Sequence, residues 1–305
     1  MLTRRDFLSA SATLAAGLGC LGLVGTGFAQ SGAMLSRKIP SSGEALAVIG
    51  AGTSGSFETE VGSPEFQQLK QVLKVFFEGG GQVIDTSPNY GGADAVLGQL
   101  LEEGGWRSKT FLATKIAADS RAAAEAQWAV TLRSLRTDKV DLLQVHNLRD
   151  WQRQLPYARE LKTQGLTRYV GVTHYVDGGL DELERILRQE QLDFIQIHYS
   201  VNSPTAARTV LPLAQDKGVA VLINRAFDDG RLFARVKDQA LPAWAAESGI
   251  GSWAQLFLKF AISHPAVTAV IPATRRPERQ LDQLKAGSGP LLSDDQRKQL
   301  IEQFA

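Results

Sequence analysis

Thr110-Phe111-Leu112-Ala113-Thr114-Lys115, an amphipathic stretch over 122–135, and then Val140-Asp141-Leu142-Leu143-Gln144-Val145-His146 decide the fold. Each apolar run is β-rich and too short for a helix, while the stretch between them has helical length and spacing. The same unit recurs in both directions. Further apolar runs lie at 46–49, 82–85, 169–173, 193–198, 219–223 and 267–271, with helical patterns at 64–77, 155–163, 180–188, 205–217 and 253–263. Ser63-Pro64 and Ser203-Pro204 both read as an N-cap followed by proline at the first helical position. Strands that alternate with helices and carry no polar face imply a parallel sheet covered on both sides. Eight such units in roughly 240 residues have the count and size of an α/β (β/α)8 TIM barrel. An open doubly wound sheet is the rival. No linker or composition break divides residues 30–305, which read as a single domain.

Charge excludes some partners. With 33 basic and 32 acidic residues the chain carries a net +1, which gives no field for nucleic acid or an anionic surface. A small molecule is the expected partner. Residues 1–29 differ from the rest: Arg4-Arg5-Asp6-Phe7-Leu8 is followed by Leu, Ala, Gly and Ser, ending Gly27-Phe28-Ala29, and no charge reappears before Arg37. A charged start, an apolar middle and a small-x-small end describe an export signal. The arginine pair resembles the twin-arginine type, which implies the twin-arginine export machinery as a partner and a periplasmic or exported destination. The membrane would then be met only through an uncleaved signal, since residues 8–28 are just long enough to span. Cys20, the one cysteine, lies inside this segment, so the mature chain would hold no thiol and no disulfide.

Gly50-Ala51-Gly52-Thr53-Ser54-Gly55 fits the dinucleotide fingerprint G-x-G-x-x-G. That motif requires a helix to start within it, so that N–H groups meet the pyrophosphate. Here Ser63-Pro64 starts the helix about two turns too late, and the glycines read as a loop where backbone approaches a ligand.

Asp85, Lys115 and His146 end consecutive strands, and Tyr90 stands just beyond the first of them. Singly, each has a bland explanation as a cap or a satisfied polar group. Together, at the carboxyl ends of barrel strands, they mark an active site. A phenol at its ordinary pKa is a poor proton donor at neutral pH; an adjacent ammonium lowers that value, and a carboxylate holds the ammonium. Such a unit delivers a proton to an oxygen while hydride attacks the carbon.

Gly81-Gln82-Val83-Ile84-Asp85-Thr86-Ser87-Pro88-Asn89-Tyr90-Gly91, the opening stretch 39–53, and Ser134-Leu135-Arg136-Thr137-Asp138-Lys139-Val140-Asp141-Leu142 before His146 together resemble the aldo-keto reductase family, over about residues 37–286. The resemblance implies NADPH and reduction of a small aldehyde or ketone. Tyr90 would be the general acid, tuned by Lys115 and Asp85, with His146 orienting the carbonyl. It further implies Thr53 in the first loop near the cofactor, and Thr173, His174 and Gln196 around the nicotinamide carboxamide, although the family's pair there is Ser-Asn. Thr274, Arg275, Arg279 and Gln283 match the segment at the adenosine phosphate, with Ala273 where lysine is common. Asn224 and Arg225 depart furthest, because many members place a Tyr-Ser pair there and stack the ring on the nicotinamide; Arg225 is then expected at a phosphate or a substrate carboxylate. Pocket walls are expected from Phe57, Trp151 and the loop after Phe227, and a final helix over 293–304 leaves a fairly open site. No metal is expected.

Two other classes compete. His146, His174 and His198 end strands and, with Asp85, offer zinc ligands for a barrel hydrolase. A cofactor-binding redox sensor with little turnover is motivated by Asn224, by His174 and by a destination poor in free NADPH.

Overall fold

A computed structural model describes residues 32–305. The export segment proposed for residues 1–29 lies outside the described residues. Two short strands, β1 (Ser36–Lys38) and β2 (Ala45–Ala47), pair antiparallel as a hairpin. Eight parallel strands then follow in chain order among the described residues: β3 (Ala51–Gly52), β4 (Val83–Asp85), β5 (Phe111–Ile116), β6 (Val140–Val145), β7 (Thr167–Thr173), β8 (Phe194–His198), β9 (Ala220–Asn224) and β10 (Ala269–Val270). The Gly50 N–H donates to the Val270 carbonyl at 2.8 Å and the Gly52 N–H to that of Pro272 at 2.8 Å, which joins the first stave to the last. The result is the (β/α)8 barrel that the alternation predicts.

The helices are α1 (Pro64–Glu78), α2 (Ala93–Gly104), α3 (Arg121–Ser134), α4 (Trp151–Thr163), α5 (Leu180–Gln189), α6 (Val210–Asp216), α7 (Arg231–Arg235), α8 (Trp253–Ile262), α9 (Pro277–Lys285) and α10 (Asp294–Phe304). Ser63 caps α1 as expected, its Oγ accepting the Phe66 N–H at 3.1 Å, an arrangement worth about 1 kcal/mol. None of the described helices is long and apolar enough to cross a membrane.

Three details differ from the sequence expectation. Residues 46–49 divide: Ala45–Ala47 belongs to the hairpin, while Val48 and Ile49 lead into the first stave, the Val48 carbonyl accepting the Val270 N–H at 3.0 Å. Leu46 and Ile39 are apolar because they plug the amino-terminal end of the barrel against Phe111, Tyr169 and Phe194. The 205–217 helix breaks into a single 3-10 turn, Thr205–Ala207, and α6; Ser203 does not cap it, because its hydroxyl donates to Asp177 instead. Helix α2 goes unannounced because its N-cap is Gly92, with φ +85° and no capping side chain.

The glycines of the fingerprint also have a different reason. A Cβ on Gly50 would sit 2.9 Å from the Val83 carbonyl oxygen, and one on Gly52 2.9 Å from that of Ile271. Closing the barrel at this short stave therefore requires bare backbone on both sides. The loop reading holds from Gly52 onward, where residues 52–56 do line the cleft.

Strand periodicity positions the site. Side chains two apart share a face, and the barrel interior begins apolar with Val83, Phe111, Leu142, Tyr169, Phe194 and Ala220. The same faces end polar at the carboxyl ends with Asp85, Lys115, Gln144, Thr173, Gln196 and Asn224. Apolar burial below thus holds a ring of polar groups above.

Candidate active site

At the carboxyl ends of the strands lies a cleft of about 910 Å³, with Asp85, Tyr90 and His146 on its floor. Lys115 is fully buried beneath them, its Nζ donating to Asp85 Oδ2 at 2.5 Å and to the Thr86 carbonyl at 2.8 Å. Nζ also stands 5.1 Å from the centre of the Tyr90 ring. Asp85 Oδ1 is held by two side-chain amides, accepting from Gln196 Nε2 at 2.7 Å and Gln144 Nε2 at 3.2 Å. The four residues expected to act together are therefore together.

The electrostatics correct one expectation. Burial pushes the Tyr90 phenol above its ordinary 10; Lys115 pulls it back, but Asp85 and Asp94 add to the rise. The lysine does not win, and Tyr90 holds its proton throughout the neutral range. Burial opposes the Lys115 ammonium, yet Asp85 and Tyr90 outweigh it and keep the lysine above its usual value. Burial likewise raises the Asp94 carboxyl, even though Thr86 donates to it at 2.6 Å. Thr53 donates in turn to Thr86 at 2.9 Å, so this buried chain anchors the first loop beside the start of α2.

His146 packs edge-on to Tyr90 with ring centres 5.7 Å apart. Its Nδ1 lies 3.0 Å from Ser87 Oγ, which also accepts the Asn89 N–H at 3.4 Å. Nδ1 is the one acceptor within reach of this buried hydroxyl among the described residues, so the serine proton is assigned to it, and the imidazole then carries its own proton on Nε2. Burial, then Lys115 and Arg149, hold the imidazole near pKa 3, so it is neutral. A histidine whose pKa falls from 6.5 on folding contributes stability that is complete above 6.5 and is lost as pH drops toward 3. Between about pH 7 and about pH 4 the wild type should therefore lose a few kcal/mol more than His146→Asn. Urea melts at both pH values check this, and equal losses in the two proteins would refute it.

Gln144 and Ser87 join the site without having been expected from the sequence. Both keep the two-residue phase of residues already singled out, Gln144 before His146 and Ser87 after Asp85, and that phase was the available signal.

The remaining expected residues divide. Thr53, Thr173, Gln196, Asn224, Arg225, Thr274, Arg275 and Arg279 all line the cleft. His174 and Gln283 do not. The His174 ring lies against Gly179, where an added Cβ would come within 2.2 Å of it, and its Nδ1 meets the Val176 carbonyl at 3.0 Å. Gln283 is buried, its Oε1 without a partner among the described residues. Arg275 is committed to the first loop, donating to the carbonyls of Gly55 and Ser56 at 2.9 and 3.1 Å. Arg276, exposed and only 3.9 Å from Glu278, is the freer guanidinium. Thr274 Oγ1 accepts the Arg276 N–H at 3.2 Å, leaving its own proton to donate. Arg225 pairs with Asp228 and Asp229 and donates to the Tyr175 carbonyl at 3.1 Å. Of the expected walls, Phe227 lines the cleft, joined by Phe233 and Tyr175, whereas Phe57 and Trp151 are buried in the core, the latter donating to Glu182.

Among the described residues no three histidine, cysteine or acidic side chains converge as metal ligands. The histidines face different partners, His198 Nε2 meeting Ser200 Oγ at 3.0 Å. A second concavity of about 550 Å³ opens at the amino-terminal end of the barrel. Two of its arginines, Arg107 and Arg168, both pair with Asp141.

Comparison with known proteins agrees with this geometry. The model of the Aldo/keto reductase family matches residues 48–303. Aldo-keto reductase YhdN of Bacillus subtilis is 26% identical over 206 residues, covering 63% of this chain and 61% of that protein. An NADH-specific methylglyoxal reductase of Escherichia coli is 25% identical over 53% of this chain and 57% of that protein. The matched regions thus span less than two thirds of these two relatives. A solved aldo/keto reductase from Klebsiella pneumoniae, in complex with NADP and acetate, superposes with a TM-score of 0.73 at 26% identity, covering 86% of this chain and 93% of that one.

Proposed function

The chain belongs to the aldo/keto reductase family, and from that premise we propose that it reduces a small aldehyde or ketone to an alcohol with NADPH. The observation that carries the proposal is the Asp85–Lys115–Tyr90 unit at the cleft floor, with a neutral His146 beside it. Bound NADPH would supply hydride to the carbonyl carbon. Tyr90 Oη holds the proton that the carbonyl oxygen takes up, and Lys115, fixed by Asp85, stabilises the negative charge left on the phenol. His146 Nε2–H donates to the same oxygen and aims it. Because the imidazole is neutral, it orients without competing as an acid.

The residues present suit the cofactor. Thr274, Arg276 and Arg279 gather where α9 begins with no side-chain cap, so free helix N–H groups and guanidinium forks meet at one end of the cleft. That set favours the extra phosphate of NADPH over NADH. Titration with each dinucleotide, followed by NADPH oxidation over a broad aldehyde panel, tests the proposal. Tight NADPH binding without turnover would favour a sensor and sink this reading.

We further infer that residues 1–29 are a twin-arginine export signal that delivers the enzyme to the periplasm or beyond, any membrane contact being through that segment alone. Arg4-Arg5 is the supporting observation. In cell fractionation, Arg4→Lys combined with Arg5→Lys should strand the protein in the cytoplasm. Unchanged export of that variant would refute the inference.

A further inference from the structure

Two side-chain amides, Gln196 and Asn224, run outward from the buried ion pair, and their sense is set by Asp85. A carboxylate only accepts, so Gln196 must present Nε2 to it, at 2.7 Å. Gln196 Oε1 is then left to accept, and it takes Asn224 Nδ2 at 3.3 Å. Asn224 Nδ2 also donates to the His174 backbone carbonyl at 3.3 Å. That carbonyl can only accept, so Asn224 cannot be turned the other way. The chain therefore ends in one defined atom, Asn224 Oδ1, which is buried and has no hydrogen-bond partner among the described residues, on a residue that lines the cleft. A buried acceptor without a donor is costly.

We propose that Asn224 Oδ1 is the acceptor for the carboxamide N–H of the nicotinamide, so that a hydrogen bond from the ninth strand takes the place of a stacked ring. The proposal rests on the reading of the cleft as an NADPH site. Neighbouring residues leave this role to Asn224. Both ends of the Gln196 amide are engaged within the protein, and the His174 ring lies outside the cleft. Thr173 Oγ1 accepts the Asn147 N–H at 3.1 Å and keeps a proton to donate, which suits the carboxamide oxygen. Donor and acceptor are thus supplied from β7 and β9.

The test is equilibrium binding, independent of turnover. Calorimetry compares NADP+ with its 3-acetylpyridine analogue, in which a methyl group replaces the carboxamide nitrogen. Wild type should bind NADP+ roughly tenfold more tightly than the analogue, the value of one hydrogen bond to a buried acceptor. Asn224→Ala should bind the two nearly alike. Asn224→Ser, too short to reach, should behave as alanine does and stands in if the alanine variant does not fold. An undiminished preference in the variants, or no preference in wild type, overturns the proposal while leaving the cofactor reading intact. Failure of wild type to bind either compound overturns both.

Discussion

Tyr90→Phe should fold, bind NADPH with little change, and reduce carbonyls roughly 10²- to 10⁴-fold more slowly, the usual contribution of a positioned general acid. The substitution removes one oxygen from a half-buried ring and leaves the ring's edge-on contact with His146 in place. Stability should therefore hardly move. The loss should appear in kcat and kcat/KM together, because the proton is needed only as the carbonyl oxygen gains charge. The pH profile follows from the direction of the Tyr90 shift. A phenol raised above 10 stays protonated at neutral pH, so the wild-type reduction rate should be flat there and fall as pH climbs through the raised value. The variant should lack that alkaline limb. Retention of near-wild-type turnover by Tyr90→Phe would remove the tyrosine from the chemistry.

Much of this architecture is legible in the chain itself. Asp85, Lys115 and His146 stand out because ionisable groups interrupt β-rich runs at their carboxyl ends, where a barrel places its chemistry. Gln144 and Ser87 share their phase but carry no charge, so nothing lifts them above ordinary strand and turn composition. The direction of the Tyr90 shift was not legible. Lys115 and Asp94 are visible in the sequence, but the burial that outweighs the lysine is a property of the closed barrel. His174 illustrates another limit. A strand-end histidine reads as a cleft residue until the following turn, with Gly179 against the ring, takes the side chain away. Asn224 reads only as a lost stacking partner, because its hydrogen bonds run across strands to Gln196 and to the His174 carbonyl.

Lys115→Met should damage both stability and turnover, and a second substitution separates the two. The ammonium is buried and holds Asp85 Oδ2 at 2.5 Å and the Thr86 carbonyl at 2.8 Å. Without it, Asp85 stays in the interior with only the amides of Gln144 and Gln196 as donors. Breaking a buried pair from one side typically costs about 3–5 kcal/mol, a large part of the roughly 5–15 kcal/mol that holds a domain folded. In a chain of this size that lowers Tm by roughly 10 °C. Turnover should fall at least about as far as in Tyr90→Phe, since the charge developing on the phenol loses its counter-ion. Adding Asp85→Leu removes the stranded carboxylate and substitutes apolar packing of similar volume. The double variant should then regain most of the lost Tm, because an apolar pair often does as well as a buried ionic one. It should stay as inactive as the single variant, because hydrophobic packing cannot stabilise a phenolate. Thermal melts beside steady-state kinetics distinguish the outcomes. A single variant as stable as wild type would show that the pair is not what holds Asp85, and a double variant that regained turnover would show that Lys115 is not what tunes Tyr90.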